Sequence, residues 1–108
     1  MRRRVILDEC LPRKLLALLE GELLTTVPKR GWASKTNGEL LTLASQEFDV
    51  FVTHDENLEH QQNLKNFDIG IVVIHAESNR LADIRPLVDE INAAVESVAY
   101  HRAVHVGA

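Results

Sequence analysis

Residues 69–74 (Ile-Gly-Ile-Val-Val-Ile) constrain this chain more than any other segment. The run contains no polar side chain, and five of its six residues are β-branched. It is far shorter than the roughly 20 residues of a membrane span, and it lacks the alternation of a strand with one wet face. Such a strand is apolar on both faces, which suits the middle of a parallel sheet with cover on each side. Parallel neighbours need long crossovers, usually helical.

The rest of the sequence supplies those crossovers. Residues 4–8 (RVILD) read as a buried strand ending in an acid. Pro12 then suits a first helical turn, Leu11, Leu15, Leu16, Leu18 and Leu19 give an apolar face, and Gly21 ends the helix. Residues 23–27 predict a second strand, stopped by Pro28, and residues 28–37 a polar loop. A helix is expected over 38–48, striped by Leu40, Leu41, Leu43, Ala44 and Phe48, followed by a strand over 49–53. Residues 57–66 predict a short, mostly exposed helix. Leu81, Ile84, Leu87, Val88, Ile91, Val95 and Val98 recur at helical spacing, with Pro86 at a start or kink. The reading is one α/β domain over residues 1–108. It is a three-layer α/β/α sandwich around a mostly parallel sheet of four to five strands, joined by right-handed βαβ units.

Charge bears on function. Sixteen Asp/Glu against twelve Lys/Arg give a formal net charge of −4. That disfavours a protein that binds nucleic acid only by neutralising phosphates. The bases concentrate in the first half: residues 1–54 hold eight bases and seven acids, residues 55–108 four and nine. With no span-length apolar run and no signal-peptide core ahead of Asp8 and Glu9, the chain is expected to be cytoplasmic, without a membrane partner. The single Cys10 excludes an internal disulfide.

In open α/β sheets ligands bind at the carboxyl ends of the strands. Three predicted strands run into acids there, at Asp8-Glu9, His54-Asp55 and His75-Ala76-Glu77. Glu39 lies in the first turn of a helix that starts on the same side. Carboxylates gathered at one place repel one another unless a cation neutralises them, and oxygen-only ligands favour Mg²⁺ or Mn²⁺. Asp8, Glu39 and Asp55 are therefore the candidate catalytic and metal-holding residues. Each also has a structural reading: Thr36 and Glu39 form a capping-box pattern, as do Thr53 and Glu56, Asp55 suits a helix cap, and Asp8 a strand-end turn.

The segments Val5-Ile-Leu-Asp-Glu-Cys-Leu-Pro12, Gly31-Trp-Ala, Asn37-Gly-Glu-Leu-Leu41 and Val50-Phe-Val-Thr-His-Asp55 resemble the PIN-like nucleases. They are most similar to a short PIN-like family described as a domain of unknown function and taken as toxins of bacterial toxin–antitoxin pairs. The likeness continues through residues 69–75 and Ser78-Asn79-Arg80. It implies a metal-dependent ribonuclease with Asp8, Glu39 and Asp55 as its acids, an RNA substrate and an antitoxin partner. Related nucleases carry a fourth acid soon after the third. Glu56, Asn57 and Glu59 follow here, and Glu59 is favoured because it lies four residues beyond Asp55 on one helical face.

Arg13 and Lys14 open the first helix beside Asp8 and suit phosphate binding, against a plain solvated surface as the alternative. Thr53 suits a bond to carboxylate or phosphate, or a structural role. Lys29, Arg30 and Lys35 suit a basic rim. Trp32 reads as a plug pinning its loop, Cys10 as packing, and His101 with His105 as part of a frayed end rather than a metal pair. Two other functions remain open: a non-catalytic PIN-like scaffold that binds protein, and a receiver-like phosphoacceptor domain, which would need a lysine after its last strand, where this sequence has none beyond Lys65. A homodimer through the C-terminal helix is left open.

Overall fold

The computed structural model describes residues 3–107. Five parallel strands form one sheet in the order β2-β1-β3-β4-β5: β1 (Arg4–Leu7), β2 (Glu22–Thr26), β3 (Val50–Thr53), β4 (Gly70–Ile74) and β5 (Ala103–Val106). The α-helices among the described residues are α1 (Asn37–Glu47), α2 (Leu58–Gln61), α3 (Leu81–Ile84) and α4 (Val88–Ser97). The expected layered α/β architecture is present. No described helix is long and apolar enough to cross a membrane.

Alternation along the strands builds two cores. Val5, Leu7, Val50, Val52, Val72 and Ile74 face one side, where Leu15, Leu19, Ile84, Ile91 and Val95 cover them. Ile6, Phe51, Ile71 and Val73 face the other, under Leu40, Leu41 and Ala44 of α1 and Leu58 of α2. β4 is buried along its whole length, as its uniformly apolar sequence requires.

Local signals set several boundaries. Thr36 caps α1 by accepting the Glu39 backbone N–H at 3.3 Å. Pro86 falls in a 3-10 turn (Arg85–Leu87) between α3 and α4, so the long apolar stripe is broken where proline cannot continue the backbone ladder. Trp32 packs edge-on against Phe48 with ring centroids 6.4 Å apart, a loop plug as expected. Arg30 does not join a basic rim but stacks over Trp32 at 4.5 Å and pairs with Glu47.

Three expectations need correction. The first crossover is a 3-10 helix (Arg13–Leu18) rather than an α-helix. At about 2 Å rise per residue instead of 1.5 Å, it carries the chain further in six residues while still burying Leu15. The C-terminal segment is not frayed: Ala103–Val106 pairs with β4 as an edge strand. Only Val106 of β5 is buried, so the segment carries little of the alternation that marks a strand.

The third correction concerns handedness. The β1–β2 connection and the α3–α4 connection cover the same face, yet the first steps left along the sheet order and the second steps right. The connections through α1 and α2 lie on the other face and both step right. The β4–β5 crossover is therefore of opposite hand to the other three, and the units do not all share the right-handed form. Coverage explains the exception. A six-residue 3-10 helix cannot cover one face of five strands, and α4 supplies Ile91, Ala94 and Val95 to the part it leaves bare.

Arg4 ties β1 to the start of β3. Its backbone N–H and guanidinium both donate to Asp49, and the Tyr100 hydroxyl donates to the same carboxylate at 2.5 Å. Burial alone would raise the Asp49 carboxyl, but these hydrogen bonds and the Arg4 charge outweigh it and lower it to about 2. A depressed carboxyl stabilises the fold above its unfolded value near 4 and loses that contribution as pH falls toward about 2. Asp49→Asn should thus cost about 1–2 kcal/mol at neutral pH and flatten the stability curve between roughly pH 4 and 2, read by urea denaturation at each pH. A Cβ added at Gly70 would meet Val98 Cγ1 at 2.7 Å and the Ala99 carbonyl oxygen at 3.1 Å. Gly70→Ala should therefore destabilise by about 1–3 kcal/mol in the same assay, because α4 must move off the sheet.

Candidate functional site

β1 is bonded to both β2 and β3, and the chain leaves it toward one neighbour and returns toward the other. The connections diverge at the carboxyl ends of these two strands, which leaves a crevice there. Asp8 ends β1 and Thr53 ends β3. The Asp8 N–H extends the ladder by donating to the Val52 carbonyl at 2.9 Å. By alternation Asp8 continues the face of Ile6 and Thr53 the face of Phe51, so both turn toward the side covered by α1.

There they meet. The fully buried Thr53 hydroxyl donates to Asp8 Oδ2 at 2.7 Å and accepts the Asp55 N–H at 3.0 Å. Asp8 is 9% exposed. Its Oδ1 accepts the Glu9 N–H at 2.8 Å, and the Cys10 thiol lies 3.6 Å from Oδ2. Asp55 is half-buried, and its Oδ1 accepts the Asn57 N–H at 2.9 Å, which shapes the turn leading to α2. One hydroxyl thus joins the Asp8 carboxylate to the backbone of Asp55.

Cys10 closes the back of this turn. Its sulfur accepts the His54 N–H at 3.4 Å, and its carbonyl accepts from the Asn79 amide at 2.9 Å. Burial first, and then the Asp8 charge, push the thiol up from its ordinary value. It is a packing and hydrogen-bonding group rather than an activated nucleophile.

The remaining candidates are placed differently. Glu39 stands in the first turn of α1, exposed, with Oε1 accepting the Thr36 hydroxyl at 2.9 Å. Its carboxylate serves its own helix start, as the capping pattern anticipated. Arg13 and Lys14 are exposed at the start of the 3-10 helix, just past the Asp8 turn. Glu59 is half-buried, and its carboxylate meets His105. Asp55 lies before α2, whose cap is Asn57, so Asp55 and Glu59 do not share the helical face on which Glu59 was favoured. Among the described residues, no group of three or more His, Cys, Asp or Glu side chains is arranged to hold a metal ion as it stands.

Sequence reading gave Cys10 no polar role and found no site among the histidines. Apart from the one to Asp8, the Cys10 contacts span 43 residues or more and have no local signature. The histidine cluster of β4 and β5 was hidden because the last strand was not recognised. The β-branched Val104 and Val106 ahead of Gly107 were the only local hint of a strand there.

No family model matches the chain, and neither a curated protein nor a solved structure matches it significantly.

The hydroxyl of Thr53 is central to this geometry. Thr53→Val keeps the shape but removes the donor to Asp8 and the acceptor for Asp55. It should cost about 1–3 kcal/mol in chemical denaturation, the usual penalty for stripping partners from buried polar groups.

Proposed function

We propose that the chain is a metal-dependent ribonuclease that cleaves RNA phosphodiesters with Mg²⁺ or Mn²⁺. The observation that carries this reading is the Thr53 hydroxyl joining Asp8 and the Asp55 backbone in the β1–β3 crevice. The donor set there is oxygen only, which suits a hard cation. An ionised carboxylate offers about four lone-pair positions, so Asp8 and Asp55 keep acceptor capacity beyond their present bonds. Hard cations of this kind are often held by one or two carboxylates with waters and substrate phosphate. Asp8 and Asp55 would be the holders, and Glu39 would join if its carboxylate turned from Thr36. The bound ion would activate water and offset charge on the phosphodiester.

The chain's own residues do the positioning. Thr53 and the Glu9 N–H orient the Asp8 carboxylate from two sides. Asn57 fixes the Asp55 side chain in its turn. Arg13 and Lys14, exposed just past the Asp8 turn, are suited to hold a substrate phosphate. The net charge of −4 then accords with an RNA substrate, because the acids at the site are met by a cation rather than by a basic coat. The resemblance to short PIN-like toxins extends the proposal to an antitoxin protein as partner.

Strand order favours a second reading. The sequence 2-1-3-4-5, with acids after β1 and β3, is also the strand order of receiver-type phosphoacceptor domains, although this chain carries no lysine beyond Lys65 and its β4–β5 crossover has the opposite hand. In that reading Asp55 is the acceptor, with Asp8 and Glu9 beside it.

Single-stranded RNA with Mn²⁺ separates the two. Wild type should cleave it, and Asp8→Asn and Asp55→Asn should each lower the rate at least about 100-fold, as loss of a charge-stabilising group does. Circular dichroism should confirm that both variants remain folded. Cleavage that persists in both overturns the ribonuclease reading. A stable gain of one phosphoryl group on Asp55 after incubation with acetyl phosphate and Mg²⁺, read by intact mass, establishes the second.

A further inference from the structure

We propose that His75 and His105 form a two-imidazole site for a borderline divalent metal ion such as Zn²⁺, with Glu56 and Glu59 orienting the rings. The proposal is independent of the ribonuclease reading and concerns different residues from Asp8 and Asp55.

His75 directly follows β4, and His105 lies in β5, in register with Val73. Alternation puts both rings on the same face of adjacent strands, the side of α2. Their centroids are 4.9 Å apart at an interplanar angle of 31°. His75 Nδ1 meets the Glu56 carboxylate, and His105 Nε2 meets the Glu59 carboxylate. The two remaining nitrogens, His75 Nε2 and His105 Nδ1, face each other at 2.6 Å.

Counting protons gives the inference. A carboxylate only accepts, so the hydrogen of each neutral imidazole sits on the nitrogen facing its glutamate. The facing nitrogens then each present a lone pair, and two lone pairs at 2.6 Å repel. Three contacts need three positive centres, and two neutral rings supply two. A cation between the rings completes the set. A divalent metal ion held by both lone pairs supplies that cation. Carboxylate–imidazole–metal is the usual arrangement around metal-bound histidine, with the carboxylate fixing the tautomer. Here it occurs twice, mirrored about one point.

The geometry accommodates such an ion. Zinc–nitrogen bonds of about 2.0–2.1 Å at a tetrahedral angle need nitrogens roughly 3.3 Å apart. The rings must therefore separate by about 0.7 Å, and both are partly exposed, at 22% and 35%. A cleft of about 500 Å³ opens beside His75 and Glu56. Glu77 also lines it, which adds negative charge near the ion. With two protein ligands the site falls below the three-residue groups absent among the described residues. Imidazole nitrogen selects Zn²⁺, Ni²⁺ or Cu²⁺ over the Mg²⁺ or Mn²⁺ suited to Asp8 and Asp55.

Calorimetric titration of metal-free protein with Zn²⁺ alone tests this, with imidazole ¹⁵N resonances recorded in parallel. One equivalent should bind with a Kd below roughly 100 μM, and the ring nitrogens of His75 and His105 should shift. His105→Ala should weaken binding at least tenfold, His75→Gln likewise, and Glu59→Gln by about tenfold. His105 sits on an exposed edge, so its variant should fold, which thermal melting checks. Asp8→Asn with Asp55→Asn should bind Zn²⁺ as wild type does. Three results overturn the proposal: no binding below about 1 mM, binding that survives both histidine changes, or binding lost with Asp8 and Asp55 instead.

Discussion

A parallel sheet must be covered on both faces, and the rest of this molecule follows from that demand. β1, β3 and β4 put apolar residues alternately up and down with no polar side to offer water. Each face needs helices of its own, and the chain has few residues to supply them. α1 and α2 cover one face through Leu40, Leu41, Ala44 and Leu58. On the other, the short 3-10 helix falls short, and α4 crosses over to complete the layer. The β4–β5 connection accepts the less common hand to do so. Apolar burial worth about 25 cal/mol per Å² outweighs a preference rooted in strand twist.

The same topology creates the site. Strands that diverge around β1 leave Asp8 and Thr53 side by side at the carboxyl edge, on a scaffold buried to the last residue of β3. A carboxylate at 9% exposure persists because its oxygens take three donors: the Thr53 hydroxyl, the Glu9 N–H and the Cys10 thiol. Asp8 is thereby held in one orientation before any ligand arrives. Asp55 and Glu39 are also held, one by its turn and one by its helix cap. Structural and chemical roles are not alternatives for these acids. The bond that shapes a turn or caps a helix also aims the carboxylate.

Along the carboxyl edge the chemistry changes from oxygen to nitrogen. Between β1 and β3 stand aspartates and a threonine. Beyond β4 and β5 stand two histidines, each braced by a glutamate from the segment around α2. Glu59, favoured in sequence as a partner of Asp55, is committed to His105 instead. The segment after β3 thus divides its acids, with Asp55 held in its own turn and Glu56 and Glu59 committed to the outer strands.

The sequence by itself determined the layers, the first four strands, α1 with its Thr36 cap, the break at Pro86 and the edge of the sheet at which acids gather. These rest on local physics: side-chain period, proline's missing donor, a hydroxyl three residues from an N–H. Only the tertiary structure decided what lies between strands distant in sequence. Asp8 and Thr53 are 45 residues apart, and His75 and His105 are 30 apart. β5 exists because β4 offers it an unpaired edge, and four residues with one buried side chain carry too little periodicity to announce it. The hand of the last crossover was likewise invisible, since it depends on how much of one face another segment had left uncovered.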